Sequence, residues 1–252
     1  MKQKFYLTCI AVLMLSLITG CANQQQKLFK EVSLKKHSAV TPVQRKSDWW
    51  VKRFNLLNER IKQNPDTKLL FVGDSITHSW DSRKGQKVWQ QYYTKRKAVN
   101  IGISADRTQH VLWRLDHGNV DGISPKAAVL MIGTNNSNRQ DNTAEEIADG
   151  IIAICKKLQE KLPKTKILML AIFPRGPKPS MQREKNAKAS LLASRIADNK
   201  TIFYLDIGDK FLTKDKILTK EIMPDYLHPN EKGYCIWAQA IEPKLKELLG
   251  EK

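Results

Sequence analysis

From Asp48 onward, short apolar runs alternate with stretches of helical periodicity. The runs are Leu69–Val72, Ala98–Ile103, Ala127–Ile132, Ile167–Phe173 and Ile202–Leu205. Runs this short and this continuously apolar fit strands buried on both faces. Ahead of the first, Trp50, Phe54, Leu57 and Ile61 recur at helical spacing behind a capping residue type, Asp48. Between the third and fourth, Ile147, Ile151, Ile154, Leu158 and Leu162 make one stripe, opened by Thr143 and Glu146 in capping-box spacing. A last helix carries Tyr234, Trp237, Ile241, Leu245 and Leu248 on one face, and Pro243 is expected to kink or restart it. Alternating strands and helices predict an α/β protein, a parallel sheet with helices on both faces. Loops that bind or react then gather at the C-terminal ends of the strands.

The polar exceptions to the pattern fall at those ends. Gly73-Asp74-Ser75 follows the first run, Asn100 to Asp106 closes the second, and Gly133-Thr134-Asn135-Asn136 follows the third. Asp225-Tyr226-Leu227-His228 precedes the last helix. Acyl transfer needs these residue types. A serine hydroxyl is a poor nucleophile until a base takes its proton, and histidine is the base that works near neutral pH. A carboxylate orients that histidine, and fixed donors meet the oxyanion. Ser75, His228 and Asp225 can fill the first three roles. The backbone N–H of Ser75, a backbone N–H of the second loop and the Asn135 amide can supply the donors. Plainer readings exist: Ser75 as a helix cap, and Asn135 as a turn with Asn136. His78, His110 and His117 read as polar residues on helices. Arg175, after the fourth run, either contacts substrate or pins its loop to an acidic partner. Asp225 and His228 lack a metal-site companion such as HExxH or a cysteine cluster, so no metal or other cofactor is expected.

Taken in order, the Gly73-Asp74-Ser75, Asn100, Gly133-Thr134-Asn135 and Asp225-x-x-His228 blocks resemble those of the SGNH (GDSL-type) hydrolases. The stretches Thr108–Leu115, Pro174-Arg175-Gly176 and Asp225–His228 are most similar to the catalytic subunits of intracellular platelet-activating-factor acetylhydrolase. The resemblance covers Leu69 to the C-terminus. It implies a three-layer α/β/α sandwich around a five-stranded parallel sheet, of flavodoxin-like SGNH type. It implies Ser75 as nucleophile, His228 as base, Asp225 as its orienting acid and Asn135 as an oxyanion donor. The family's second-loop donor is the N–H of a glycine directly before an aspartate; here that position is Ala105. Any residue but proline keeps the N–H, so the two differ only in the φ they tolerate. In the nearest relatives bulky residues at the positions of Ile76 and Leu227 narrow the acyl pocket. A short acyl group, acetyl first, is therefore expected, released from an oxygen ester through an acyl-serine. Lysophospholipid or thioester hydrolysis, and a non-catalytic binding protein that keeps the fold, stay open. The nearest relatives form dimers, which leaves a homodimer open here.

The N-terminus belongs to a different register. Lys2 and Lys4 precede an apolar stretch from Ile10 to Ile18, then Thr19-Gly20-Cys21. This reads as a lipoprotein signal peptide over 1–20, with Cys21 as the lipidated residue. Residues 21–47, polar and lysine-rich, read as a flexible tether, and 48–250 as the hydrolase domain. The expected location is the bacterial cell envelope, outside the cytoplasm and held to the membrane through Cys21, where O-acetylated carbohydrate is the first substrate class to consider. The formal net charge is +18. Its lysines are scattered, with no stripe of basic and aromatic residues, so nucleic acid is not an expected partner. Cys155 and Cys235 lie on apolar stripes and read as buried thiols, with one disulfide left open.

Overall fold

The computed structural model describes residues 37–139 and 141–251. The signal peptide over 1–20 and the lipidation site Cys21 therefore lie outside the described residues. Five strands, β1 (Leu69–Gly73), β2 (Ala98–Asn100), β3 (Ala127–Met131), β4 (Lys166–Leu170) and β5 (Ile202–Leu205), form one parallel sheet in the order β2-β1-β3-β4-β5. Seven α-helices accompany them among the described residues: α1 (Asp48–Gln63), α2 (Ser75–His78), α3 (Gln86–Tyr92), α4 (Thr108–Leu115), α5 (Ala144–Lys161), α6 (Met181–Ala193) and α7 (Glu231–Leu249).

Side chains alternate across the sheet, as strand geometry requires. Leu69, Phe71, Val129, Met131, Leu168 and Leu170 face one core, with Ile76 and Trp80 near α2, Tyr93 after α3, and Tyr234, Trp237 and Ile241 of α7. Leu70, Val72, Ala128, Leu130, Ile167 and Met169 are equally buried. Alternation sets these toward the other layer, where the Cys155 Sγ of α5 lies 4.0 Å from Met169 Sδ. The result is the expected three-layer sandwich.

Four expectations change. The apolar run through Ile103 keeps hugging β1, with the N–H of Ile101 on Phe71 O and that of Ile103 on Gly73 O. Regular pairing nevertheless stops at Asn100, whose Oδ1 takes the Gly102 N–H at 2.9 Å. Helix α7 runs through Pro243 without restarting, its apolar stripe buried on both sides of the proline. Cys155 and Cys235 are both free thiols, but only Cys155 is buried, which pushes it up to about 12, whereas Cys235 is half-buried.

The tether reading of 21–47 fails from His37 onward. Ala39 is fully buried, and its carbonyl accepts from Thr108 Oγ1 at 2.7 Å. His37 Nε2 lies 3.2 Å from Asp149 Oδ2, and Asn142 Nδ2 donates to Ser38 Oγ. Arg45 Nη1 donates to Ser104 O at 2.8 Å. The folded domain thus includes an arm, 37–47, fastened by polar bonds that no hydrophobic pattern announces.

Candidate active site

The sheet order places β1 between β2 and β3, where the chain reverses its direction of growth across the sheet. Crevices at such switch points are where ligands bind in open α/β sheets. Gly73 ends β1, and Ser75 opens α2 directly beyond it. A Cβ on Gly73 would lie 2.1 Å from Thr77 Oγ1 and 2.4 Å from Met131 O, so only glycine lets the helix start this close to the sheet. Asp74 caps the helix, its Oδ1 accepting the Ile76 N–H at 3.0 Å. Asp74 is fully buried and its Oδ2 has no hydrogen-bond partner among the described residues; burial pushes its carboxyl up to about 7.

Ser75, His228 and Asp225 meet across 153 positions of chain. Ser75 Oγ lies 2.9 Å from His228 Nε2, and His228 Nδ1 lies 2.6 Å from Asp225 Oδ2. Asp225 Oδ1 accepts the N–H groups of Leu227 and His228 at 3.1 and 2.7 Å, which locks the short loop. Burial works against ionisation of Asp225, but the bonds from His228 outweigh it and hold the carboxyl down at about 2. An ionised carboxylate on Nδ1 keeps the ring proton there and turns the Nε2 lone pair toward Ser75.

The donor candidates sit beside this relay. The N–H of Asp106 bonds to Ile103 O at 3.2 Å, and Ala105 between them has φ +61° while Ser104 does not enter positive φ. Residues 103–106 thus form a type II turn with alanine in glycine's place. A left-handed alanine costs about 1–2 kcal/mol. Among the described residues no acceptor meets the N–H of Ser75 or of Ala105. Asn135 Nδ2 donates one proton to Asp106 O at 2.9 Å, and its second meets no acceptor among the described residues. Of the two pocket candidates, Ile76 is buried within the main core and Leu227 packs partly buried against that same core. Among the described residues no group of three or more metal-ligating side chains gathers.

Behind the donors lies a network that sequence patterns concealed. Arg114 is fully buried; its Nε donates to Asp106 Oδ2 at 2.8 Å, Nη1 to Asn119 Oδ1 at 2.8 Å and Nη2 to Gly73 O at 3.0 Å. Trp50 Nε1 donates to the other Asp106 oxygen at 2.7 Å. Burial pushes the Asp106 carboxyl up against the pull of Arg114. His78 is no idle helix residue. Its Nδ1 accepts from the Ser104 N–H at 3.2 Å and lies 2.9 Å from the Ser104 hydroxyl. Burial and the charge of Arg53 push it down to about 4, so the ring is neutral. His110 likewise caps its own helix, accepting the Arg107 N–H at 3.0 Å, whereas His117 is exposed and stacked on Trp113. Arg175 pins its loop, but to neutral acceptors rather than an acid: Nη1 reaches Thr134 O, Thr134 Oγ1 and Asn138 Oδ1. The next residue continues the tie, Gly176 N–H bonding Tyr226 O at 2.8 Å. Arg175-Gly176 therefore joins the Asn135 loop to the His228 loop.

A polarised hydroxyl beside free amide donors, set at a sheet switch point, equips a protein for acyl transfer by a serine. Residues 71–236 match the GDSL-like lipase/acylhydrolase family, and the chain belongs to that family. It is a carboxylic ester hydrolase. Subunit alpha2 of platelet-activating factor acetylhydrolase IB from Rattus norvegicus is 36% identical over 207 residues, covering 81% of this chain and 86% of the relative. Among solved structures, a GDSL-like lipase from Bacteroides thetaiotaomicron superposes with TM-score 0.59 at 20% identity, over 78% of this chain and 97% of the other. Est24, a carbohydrate acetylesterase from Sinorhizobium meliloti, does so with TM-score 0.57 at 19% identity, over 72% and 99%.

Proposed function

We propose that this esterase removes short acyl groups, acetyl first, from oxygen esters through an acyl-serine intermediate. The observation that carries the proposal is the unbroken run of bonds from Ser75 Oγ to His228 to Asp225. In the forward step Ser75 Oγ attacks the ester carbonyl while His228 Nε2 takes its proton. The oxyanion is met by the N–H groups of Ser75 and Ala105 and by the free Asn135 N–H. Collapse expels the alcohol, which takes the proton back from His228. Water then attacks the acyl-serine by the same route, with His228 again as base. The imidazolium that forms in each half is balanced by the Asp225 carboxylate.

The short acyl chain rests on the bulk of Leu227, half-buried against the core that contains Ile76, as the family resemblance implies. Two relatives support acetyl, since their names carry acetylhydrolase and carbohydrate acetylesterase. For the alcohol we favour O-acetylated carbohydrate, in keeping with the leader read at 1–20, the anchor at Cys21 and an envelope location. Lysophospholipid or thioester hydrolysis is the second reading, in keeping with the lipase/acylhydrolase description of the family.

The test is hydrolysis of acetyl, butyryl and octanoyl nitrophenyl esters by the full chain beside Ser75→Ala. Fastest release from acetyl, abolished in the folded variant, is expected. Octanoyl release faster than acetyl would overturn the short-chain reading in favour of a lipase or thioesterase. Equal activity of Ser75→Ala would overturn the acyl-serine mechanism, and a folded but inert wild type would leave a binding protein.

A further inference from the structure

The N–H of Ala105 and the C=O of Ser104 belong to one planar trans peptide and point in opposite directions. In the turn 103–106 that peptide is the central one. Type I and type II turns differ chiefly by a flip of this unit. Type II demands positive φ at the third turn position, which glycine accepts freely and alanine resists. With alanine there, the local preference of the chain is type I. A flip to type I would turn the Ala105 N–H away and bring the Ser104 carbonyl oxygen round to its side. Yet Ala105 holds φ +61°, so a force from outside the turn must hold the peptide.

Arg45 supplies it. Its Nη1 donates to Ser104 O at 2.8 Å, a charge-assisted bond to the central carbonyl itself. Among the described residues no other side chain bonds that oxygen. The guanidinium is steadied in turn: it lies 4.9 Å over the Trp49 ring, and Nη1 lies 3.7 Å from the buried Asp106 Oδ1. His78 accepts the Ser104 N–H, which belongs to the preceding peptide and leaves the central one free to rotate. We propose that Arg45 is a positioning residue: from the N-terminal arm it holds the Ser104–Ala105 peptide in the type II orientation, aiming the Ala105 N–H at the oxyanion. The inference rests on the acyl-serine reading for its kinetic consequence, though not for its structural one.

The experiment compares the full wild-type chain with Arg45→Gln, Arg45→Lys, Ala105→Gly and the Arg45→Gln/Ala105→Gly double variant. It measures kcat and KM on nitrophenyl acetate, the thermal midpoint of each, and the crystal structure of Arg45→Gln. Loss of a whole oxyanion donor costs about 100-fold or more in kcat. A partly flipped peptide is expected to cost about 10-fold in Arg45→Gln, with KM changed less than about 2-fold. Arg45→Lys, which keeps a charged donor, is expected to recover most of that loss. On the Ala105→Gly background Arg45→Gln is expected to cost less than about 3-fold, because glycine holds type II unaided. Equal losses on both backgrounds, a loss confined to KM, or no loss at all would each overturn the proposal. If the wild-type chain hydrolyses no ester, the catalytic reading fails separately. The Arg45→Gln structure then decides the inference: negative φ at Ala105 supports it, and φ remaining near +61° overturns it.

Discussion

Replacing Arg114 by methionine keeps most of the side-chain volume but strips a buried carboxylate of its cation. Arg114 and Asp106 are both fully buried and 2.8 Å apart. Without the guanidinium, Asp106 keeps one hydrogen bond, from Trp50 Nε1, and the more distant charge of Arg45 at 3.7 Å; Gly73 O still accepts from the Ile103 N–H, whereas Asn119 Oδ1 loses its donor. Breaking a buried pair from one side costs about 3–5 kcal/mol, and the orphaned Asn119 Oδ1 adds about 1–3 kcal/mol where it cannot find water. The carboxyl can protonate, which limits the loss. A net destabilisation of about 4 kcal/mol is expected at pH 8, or about 8–16 °C in thermal midpoint for a chain of this size. Burial holds the Asp106 carboxyl above its unfolded value, and losing Arg114 raises it further. The unfolded chain then gives up its proton first as pH rises, so the added instability grows upward from about pH 4. Urea unfolding at pH 5 and pH 8 measures both terms. Asp106→Asn/Arg114→Met removes both charges and is expected to recover more than half the loss at pH 8. A single variant within about 1 kcal/mol of wild type, or a double variant no better than the sum of the singles, would refute the reasoning. Asp106 O also holds Asn135, so kcat is expected to fall in Arg114→Met even where the protein is fully folded.

Ala105→Gly relieves the positive φ and is expected to raise the thermal midpoint by about 2–4 °C, read by calorimetry; a lower midpoint would show the alanine unstrained. Asp74, held up at about 7, keeps its proton in the fold while the unfolded chain loses it near pH 4. Stability is therefore expected to fall by up to about 1.4 kcal/mol per unit between pH 4 and 7 from this group, and Asp74→Asn to flatten that slope in urea titrations. Leu227→Ala tests the proposed acyl-limiting role of Leu227 and is expected to raise the octanoyl-to-acetyl rate ratio by about 10-fold; an unchanged ratio would place the acyl chain elsewhere.

Much of the fold was legible because burial on both faces leaves strands no freedom in composition. Leu69–Val72 and Ala127–Ile132 could be read as strands with no knowledge of their partners. The polar residues at the strand ends stood out against those runs, and so Ser75, Asn135, Asp225 and His228 were visible as a set. What stayed hidden is held by polar bonds to main-chain atoms, which leave no periodic trace. The end of β2 turns on one amide, Asn100 Oδ1 on the Gly102 N–H, within a run that stays apolar to Ile103. The arm at 37–47 has the composition of a linker, yet Ala39 O and Arg45 fasten it to α4 and to the Ser104 turn. Arg114 looks like any charged helix residue. It can be buried only because Asp106, Asn119 and the distant Gly73 converge on its three nitrogens.

Four arginines share one habit. Arg114 donates to Gly73 O, Arg53 to Gly102 O, Arg45 to Ser104 O and Arg175 to Thr134 O. Each carbonyl lies within three residues of a candidate nucleophile or oxyanion donor. A peptide whose oxygen faces a guanidinium presents its N–H the other way, and the cation polarises that N–H further. At Ser104 this fixes a candidate donor, the Ala105 N–H, from behind; the Ile103 N–H opposite Gly102 O is spent on Gly73 O and the Asn135 donor is a side chain, so the other arginines act by holding the loops and raising the local potential where negative charge develops. Preorganised donors help catalysis because they need not reorient as the oxyanion forms. Part of the chain's large positive charge is thus accounted for by internal work rather than by a partner. These four cations are half-buried or buried and bonded to main chain, whereas a nucleic-acid or lipid surface would call for exposed lysines gathered on one face. Ala105 fits the same logic: a site that lost its glycine's freedom can keep its turn as long as a guanidinium holds the carbonyl.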